Sequence, residues 1–250
     1  MFLADLTSPR FAALSRDIPV VFPIAAVEQH GPHLPVSTDS DLLGEIVRRV
    51  EPRLGDRVVF APLTWAGNSD HHLDFPGTLS VPPRTYLDLL AGLAENVLHH
   101  GFRRVVFLNG HGGNDVPGRQ AVFELRQRHR RRDDLLLLFA TYWNLADAAS
   151  EPGLVQREMG HACEWETSMM LRIDPSRVGD HGSLPPVGQA APFQPGFRAW
   201  TTRERSSSGY IGRPDAASAE KGERLLQRFA EGAVDYLERA ARWDGRSWAG

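Results

Sequence analysis

Wholly apolar runs alternate with amphipathic stretches along this chain. Pro19 to Val27 is apolar throughout and predicts a buried strand. Asp41 to Leu54 places Leu42, Leu43, Ile46, Val47 and Val50 at helical spacing, with Asp39 or Ser40 as N-cap. Arg57 to Leu63 predicts a second strand. Pro82 to His100 puts Tyr86, Leu89, Leu90, Leu93 and Val97 on one face, with Gly101 where a helix C-terminus is expected. Arg104 to Leu108 is a short β-branched run, followed by a Gly-rich turn and a helix through Gln120 to His129. Asp134 to Thr141, with four consecutive Leu, predicts another buried strand. Ser218 to Trp243 carries a stripe of Leu225, Leu226, Phe229, Ala233, Tyr236 and Leu237, a C-terminal helix. Strands that are apolar throughout and separated by amphipathic helices specify a mostly parallel sheet covered on both faces, an α/β class three-layer α/β/α sandwich. No repeat or linker composition divides the 250 residues, so one domain is expected over 1–250.

Ligands of such sheets sit at the carboxyl ends of the strands. Glu28 and His30 follow the first strand, Asn68 to His72 the second, Asn109 to Asn114 the third, and Trp143 and Asn144 the fourth. The unusual polar groups therefore gather on one expected edge.

Composition narrows what they do. A net charge of -3 with 24% charged residues of both signs argues against nucleic acid as a partner. The basic run Arg126 to Arg132 falls at a helix end and reads as a solvated terminus. Cys163 stands alone, which excludes a disulfide framework or thiolate zinc site and makes it a small buried filler. The N-terminus lacks a basic segment leading into an apolar one, and no run approaches the ~20 apolar residues of a membrane span, so a cytoplasmic protein without a membrane partner is expected.

The candidate ligands are His, Asp and Glu. Glu28 and His30 are two apart, so in extended chain both side chains point to one side. The carboxylate of Asp39, returned by the Gly31–Ser37 turn, could bridge two ions, and this donor set suits Zn, Mn or Fe. His111 lies between glycines directly after a strand, and Asn114 could cap the next helix. In Gly160 to Ser168, a helix would put His161 and Glu164 on one face. An extended chain would pair Glu164 with Glu166.

Four ordered motifs carry a resemblance. Glu28-Gln29-His30-Gly31-Pro32-His33-Leu34-Pro35 with Thr38-Asp39, Phe75-Pro76-Gly77-Thr78, Asn109-Gly110-His111-Gly112-Gly113-Asn114, and His161-Ala162 followed by Glu166-Thr167-Ser168 together resemble the creatininase family from about residue 18 to 175. Gly212-Arg213-Pro214 is a weaker echo. The resemblance implies an α/β/α domain with a two-metal centre, assembled as a homo-hexamer. By position, Glu28, Asp39 and His111 would hold one ion. His30, Asp39 and a further Glu would hold the other. Creatininase has a Glu where this chain has Gly113, and another where it has Gly160, so Glu166 is taken as the ligand and Glu164 as its runner-up and a candidate catalytic group. The two changes argue against creatinine as substrate.

The resemblance further implies hydrolysis of a C–N bond, other than a peptide bond, in a small cyclic or linear amide by a metal-bridging hydroxide. His161 would be general acid/base, and His33, His72 and Trp143 would line the substrate pocket. Two divalent ions, Zn first and Mn or Fe as alternatives, would be the cofactors. The alternatives are a peptidase, deformylase or cyclic-ketone hydrolase of the same family, a single-metal amidase, and a metal-binding member without catalysis.

Overall fold

The computed structural model describes residues 1–188, 193 and 195–247. The strands are β1 (Val20–Ile24), β2 (Val59–Phe60), β3 (Arg104–Asn109) and β4 (Leu136–Thr141), and the helices are α1 (Ser8–Ala12), α2 (Thr38–Leu54), α3 (Pro83–His99), α4 (Asp115–Arg128), α5 (Glu164–Ile173), α6 (Thr202–Arg205) and α7 (Ala219–Arg242). The sheet is parallel, in the order β2-β1-β3-β4. Central strands β1 and β3 are buried at every position, as expected of a parallel sheet covered on both faces.

Alternation along the strands divides the core in two. Val21, Val106 and Leu108 face a cluster built with α2, α5 and α7. Val20, Phe22, Val105 and Phe107 face one built with α3 and α4. The stripe on α7 explains the larger cluster: Leu225, Leu226, Phe229, Ala233 and Leu237 are all buried. The three-layer α/β/α architecture read from the pattern is the observed one.

Three local expectations change. β4 is an edge strand, so Leu136 to Phe139 are half-buried rather than buried. β2 shrinks to two residues because a 3-10 turn occupies Gly55–Arg57 and Pro62 has no N–H for a ladder. Ser37, not Asp39 or Ser40, holds the N-cap position of α2, which leaves Asp39 in the first turn. The basic run does surround the end of α4, where Arg128 and His129 reach Glu95 and Arg132 pairs with Asp134.

Candidate metal centre

The carboxyl ends of the strands deliver the site. After β1 the chain runs through Glu28 and His30, reverses at Gly31 (φ 64°) and enters α2 with Asp39. The reversal is held by the Glu28 N–H donating to the Val36 carbonyl at 2.9 Å and by Ser40 Oγ donating to the Ala26 carbonyl at 2.8 Å. β3 ends at Asn109, whose side chain accepts from the His111 N–H and donates to the His111 carbonyl, fixing the turn that presents the ring. Asn114 holds the N-cap position of α4, but its side chain makes no capping bond. Its amide accepts from the Asn68 N–H and donates to the Ala25 carbonyl, tying the β1, β2 and β3 loops together.

Three imidazoles are oriented in the same way. His30 Nδ1 meets the Glu28 carbonyl at 3.1 Å, His111 Nε2 the Asn68 carbonyl at 2.9 Å, and His161 Nε2 the Gln29 carbonyl at 2.8 Å. A carbonyl only accepts, so the N–H must sit on that nitrogen, leaving the opposite one as a lone-pair donor when the ring is neutral. Those opposite nitrogens converge on carboxylates. His30 Nε2 lies 3.2 Å from Asp39 Oδ1 and 3.7 Å from Glu166 Oε1, His111 Nδ1 lies 2.9 Å from Asp39 Oδ2 and 3.4 Å from Glu28 Oε1, and His161 Nδ1 lies 3.5 Å from Glu28 Oε1.

Lone pairs aimed at carboxylate oxygens in a buried site repel unless a cation lies between them. Glu28 Oε2, His30 Nε2 and Asp39 Oδ2 are buried without an aligned hydrogen bond, an arrangement that costs free energy in an empty polar site. Glu28, Asp39 and His111 can place ligand atoms within 4.8 Å of one another, and so can His30, Asp39 and Glu166; Asp39 belongs to both sets. An N/O donor set with each ring held from behind by a carbonyl fits divalent first-row ions.

Electrostatics point the same way. Burial pushes Glu28 up to about 7 even though His111 opposes it. Burial alone would lower His111, but Glu28 and Asp39 outweigh it and raise the ring to about 9. His30 is likewise raised well above its ordinary value, its burial outweighed by Asp39. Burial would raise Asp39, but His30 and His111 hold it far below the carboxylate range. Without metal, protons fill the place of cations.

A pH dependence follows from these directions. Both rings carry protons at pH 7 in the metal-free protein and Glu28, raised to about 7, is partly protonated, so metal uptake should release about two to three protons per chain near neutrality. Calorimetry in buffers of different ionisation enthalpy reads that number, and release of none would contradict this electrostatic picture. Because the folded His111 value is raised, its stabilisation of the metal-free fold is complete below the unfolded value of about 6.5 and is lost as pH rises through about 9. Metal affinity should strengthen over the same window.

The other candidate residues divide. His161, His72 and Trp143 line a cavity of about 470 Å³ above the carboxylates, together with His71, Trp200, Arg205, Val116 and Ile211. Burial keeps His161 well below its ordinary value, a neutral ring at pH 7. His72 accepts at Nδ1 from the Gln29 amide (2.7 Å), which leaves its N–H on Nε2, 3.4 Å from Glu28 Oε1. The Gln29 amide also donates to the Gly209 carbonyl, and its backbone carbonyl accepts from His161 Nε2, so one residue sets two rings. Reading the sequence missed Gln29, His71, Trp200 and Arg205. Gln29 stands inside the first motif and His71 beside His72, so both were within reach. Trp200 and Arg205 come from a segment with no periodicity.

His33 stands apart from the cavity: its Nε2 bonds to Thr167 Oγ1 at 2.8 Å and its ring edge meets Tyr210. It braces the turn against α5, and its expected place in the substrate pocket is corrected. Glu164 and Glu166 part company because neither geometry considered for the segment holds. His161 is extended and bridged to Ile211, Ala162 turns at φ 48°, and α5 begins at Glu164. Two residues along a helix are about 200° apart, so the two side chains leave on opposite sides. Glu166 Oε2 accepts from the Cys163 N–H and its Oε1 faces His30. Glu164 turns away from the cavity, accepts from the Val155 and Gln156 N–H groups and pairs with Lys221 Nζ at 2.6 Å. It is a strut between α5, α7 and the wall loop. Lys221→Met should therefore lower the unfolding free energy by about 3 kcal/mol, because it strands a buried carboxylate. Urea unfolding measures this, and the metal content of the folded variant should not change.

Comparison with known proteins identifies relatives of the chain. The family model described as Creatininase, creatinine amidohydrolase, matches residues 4–237. The mycofactocin precursor peptide peptidase of Mycolicibacterium smegmatis is 32% identical over 228 residues, covering 88% of this chain and 84% of that protein. The creatinine amidohydrolase of Pseudomonas putida is 27% identical over 263 residues, covering 95% and 96%. A solved creatininase variant of Zn-Zn type superposes with a TM-score of 0.81 at 24% identity, covering 97% of this chain and 98% of that one. With a family model spanning residues 4–237 and a relative 32% identical across most of both chains, the chain belongs to the creatininase family.

Proposed function

We propose that this chain is a metal-dependent amidohydrolase, working as one domain, that cleaves a C–N bond in a small cyclic or linear amide. The observation that carries the reading is the pair of ligand sets sharing Asp39 at the floor of a cavity with aromatic walls. Glu28, Asp39 and His111 would hold one divalent ion and His30, Asp39 and Glu166 the other, with Zn favoured by the N/O donor set and Mn or Fe as alternatives. Bound ions of this kind polarise a carbonyl and lower the pKa of water.

The chain's own residues supply the rest. His161 is neutral, with Nδ1 facing the carboxylates and Nε2–H tied to Gln29, so it can accept a proton from the attacking water at Nδ1 and return it to the departing nitrogen. Gln29 fixes its ring. Trp143, Trp200 and Ile211 exclude water from the walls. His72, its N–H on Nε2, orients Glu28 and the substrate side of the cavity.

The greater identity to the peptidase than to the creatinine amidohydrolase favours, as a second reading, a bond in a short peptide. Cytoplasmic placement and a homo-oligomer, a hexamer as the family resemblance implies, are part of the same proposal. Metal-depleted protein, and the same protein reloaded with Zn, Mn or Fe, should be tested against cyclic amides, formamides and short peptides. Hydrolysis should appear only on reloading, and full activity in the depleted protein would contradict the reading.

A further inference from the structure

Among the described residues, one charged group in the cavity has no ion-pair partner. Arg205, the last residue of α6, lines the same cavity as the carboxylate cluster. Its guanidinium stacks over the Trp200 ring at 4.6 Å. Among the described residues no carboxylate lies within ion-pair distance of it, and the undescribed ones include no Asp or Glu. Neighbouring arginines differ. Arg203 donates to the Asp74 carbonyl at 2.6 Å and lies over Phe75, and Arg213 pairs with Asp215. α6 is thus fastened on its outer side by Arg203 while Arg205 is turned inward and left free. Burial works against its charge with no anion to offset it.

Its position relative to the reacting groups is set by rings in contact. Trp200 meets His71 edge to face at 5.1 Å, and His71 stacks on His111 with centroids 6.0 Å apart. A fork held over an indole, two ring contacts removed from the His111 imidazole, is preorganised for a planar anion within the same cavity. Among the described residues no other Lys or Arg lines the cavity. One guanidinium makes two parallel hydrogen bonds to a carboxylate, whereas a phosphate dianion would leave further charge unmet. We propose that the substrate amide carries a carboxylate, and that Arg205 is the residue that binds it and selects for it. This deepens the amidohydrolase reading and rests on it for the word substrate, but the anion site itself does not require turnover.

The test uses binding of probes that cannot be hydrolysed. 3-Phenylpropanoate, its neutral isostere 4-phenyl-2-butanone and the corresponding 2-phenylethylphosphonate are titrated calorimetrically into the zinc-loaded protein, Arg205→Gln and Arg205→Lys. The wild type should bind the carboxylate about 10- to 100-fold more tightly than the ketone, the scale of a charge-assisted hydrogen-bonded pair. The preference should fall below about threefold in Arg205→Gln and partly return in Arg205→Lys. Equal binding of acid and ketone by the wild type would overturn the proposal. So would an acid preference that survives Arg205→Gln, because the ions would then be the anion's partner, or an Arg205-dependent preference for the phosphonate. Since none of these probes turns over, a failure of amide hydrolysis would leave this result standing.

Discussion

Asp39→Ala should take the protein from two bound ions to at most one and lower amide hydrolysis by about 10³-fold, the scale on which loss of a group stabilising the developing charge acts. Asp39 is the one side chain that belongs to both ligand sets. It stands at 3.2 Å from His30 and 2.9 Å from His111, so its removal opens both sites at once, whereas loss of Glu166 or His111 opens one. The fold should survive. Asp39 sits in the first turn of α2, where Ala is a good helix former, and no cap depends on it. Elemental analysis and a thermal melt of the same preparation separate the outcomes. A variant that keeps two ions, or one that loses activity only because it unfolds, would contradict the role assigned to Asp39.

Gly113→Ala should cost 10- to 100-fold in metal affinity without any ligand being changed. A Cβ at Gly113 would press into the Asn68 carbonyl oxygen, 2.5 Å from His111 Nε2 and 2.8 Å from His71 Cε1. The Asn68 carbonyl is the group that fixes the His111 tautomer. The added methyl must move the acceptor, the ring or both, and overpacking of this kind also costs about 1 to 3 kcal/mol of stability. Metal titration and a melt should show both effects, the loss being at the Glu28–Asp39–His111 set. Unchanged affinity would mean that His111 is not held from behind as described. The same crowding keeps a larger side chain, Glu included, from position 113 on this backbone.

How much of this was legible in the sequence depended on how local the cause was. The first-motif ligands are written within twelve residues: an extended segment ending in Glu28 and His30, a Gly–Pro turn, and a helix that brings Asp39 back. The sheet and its layers follow from apolar strands between amphipathic helices. His33 misled because a turn sends alternate side chains to different sides, and its partners, Thr167 and Tyr210, are remote in sequence. The choice between Glu164 and Glu166 was undecidable from spacing because it turns on where α5 begins. That start is fixed by the pairing of His161 with Ile211, fifty residues away, and by the positive φ at Ala162. Trp200 and Arg205 could not be singled out within their loop for a similar reason. Only tertiary packing against His71 brings their segment to the cavity.

Anomalous scattering from crystals of the zinc-reloaded protein tests the two-ion centre most directly. It should show two peaks per chain, one among Glu28, Asp39 and His111 and one among His30, Asp39 and Glu166, with Asp39 between them. A single peak, no peak, or an ion held by Glu28, His71 and His72 instead would contradict it.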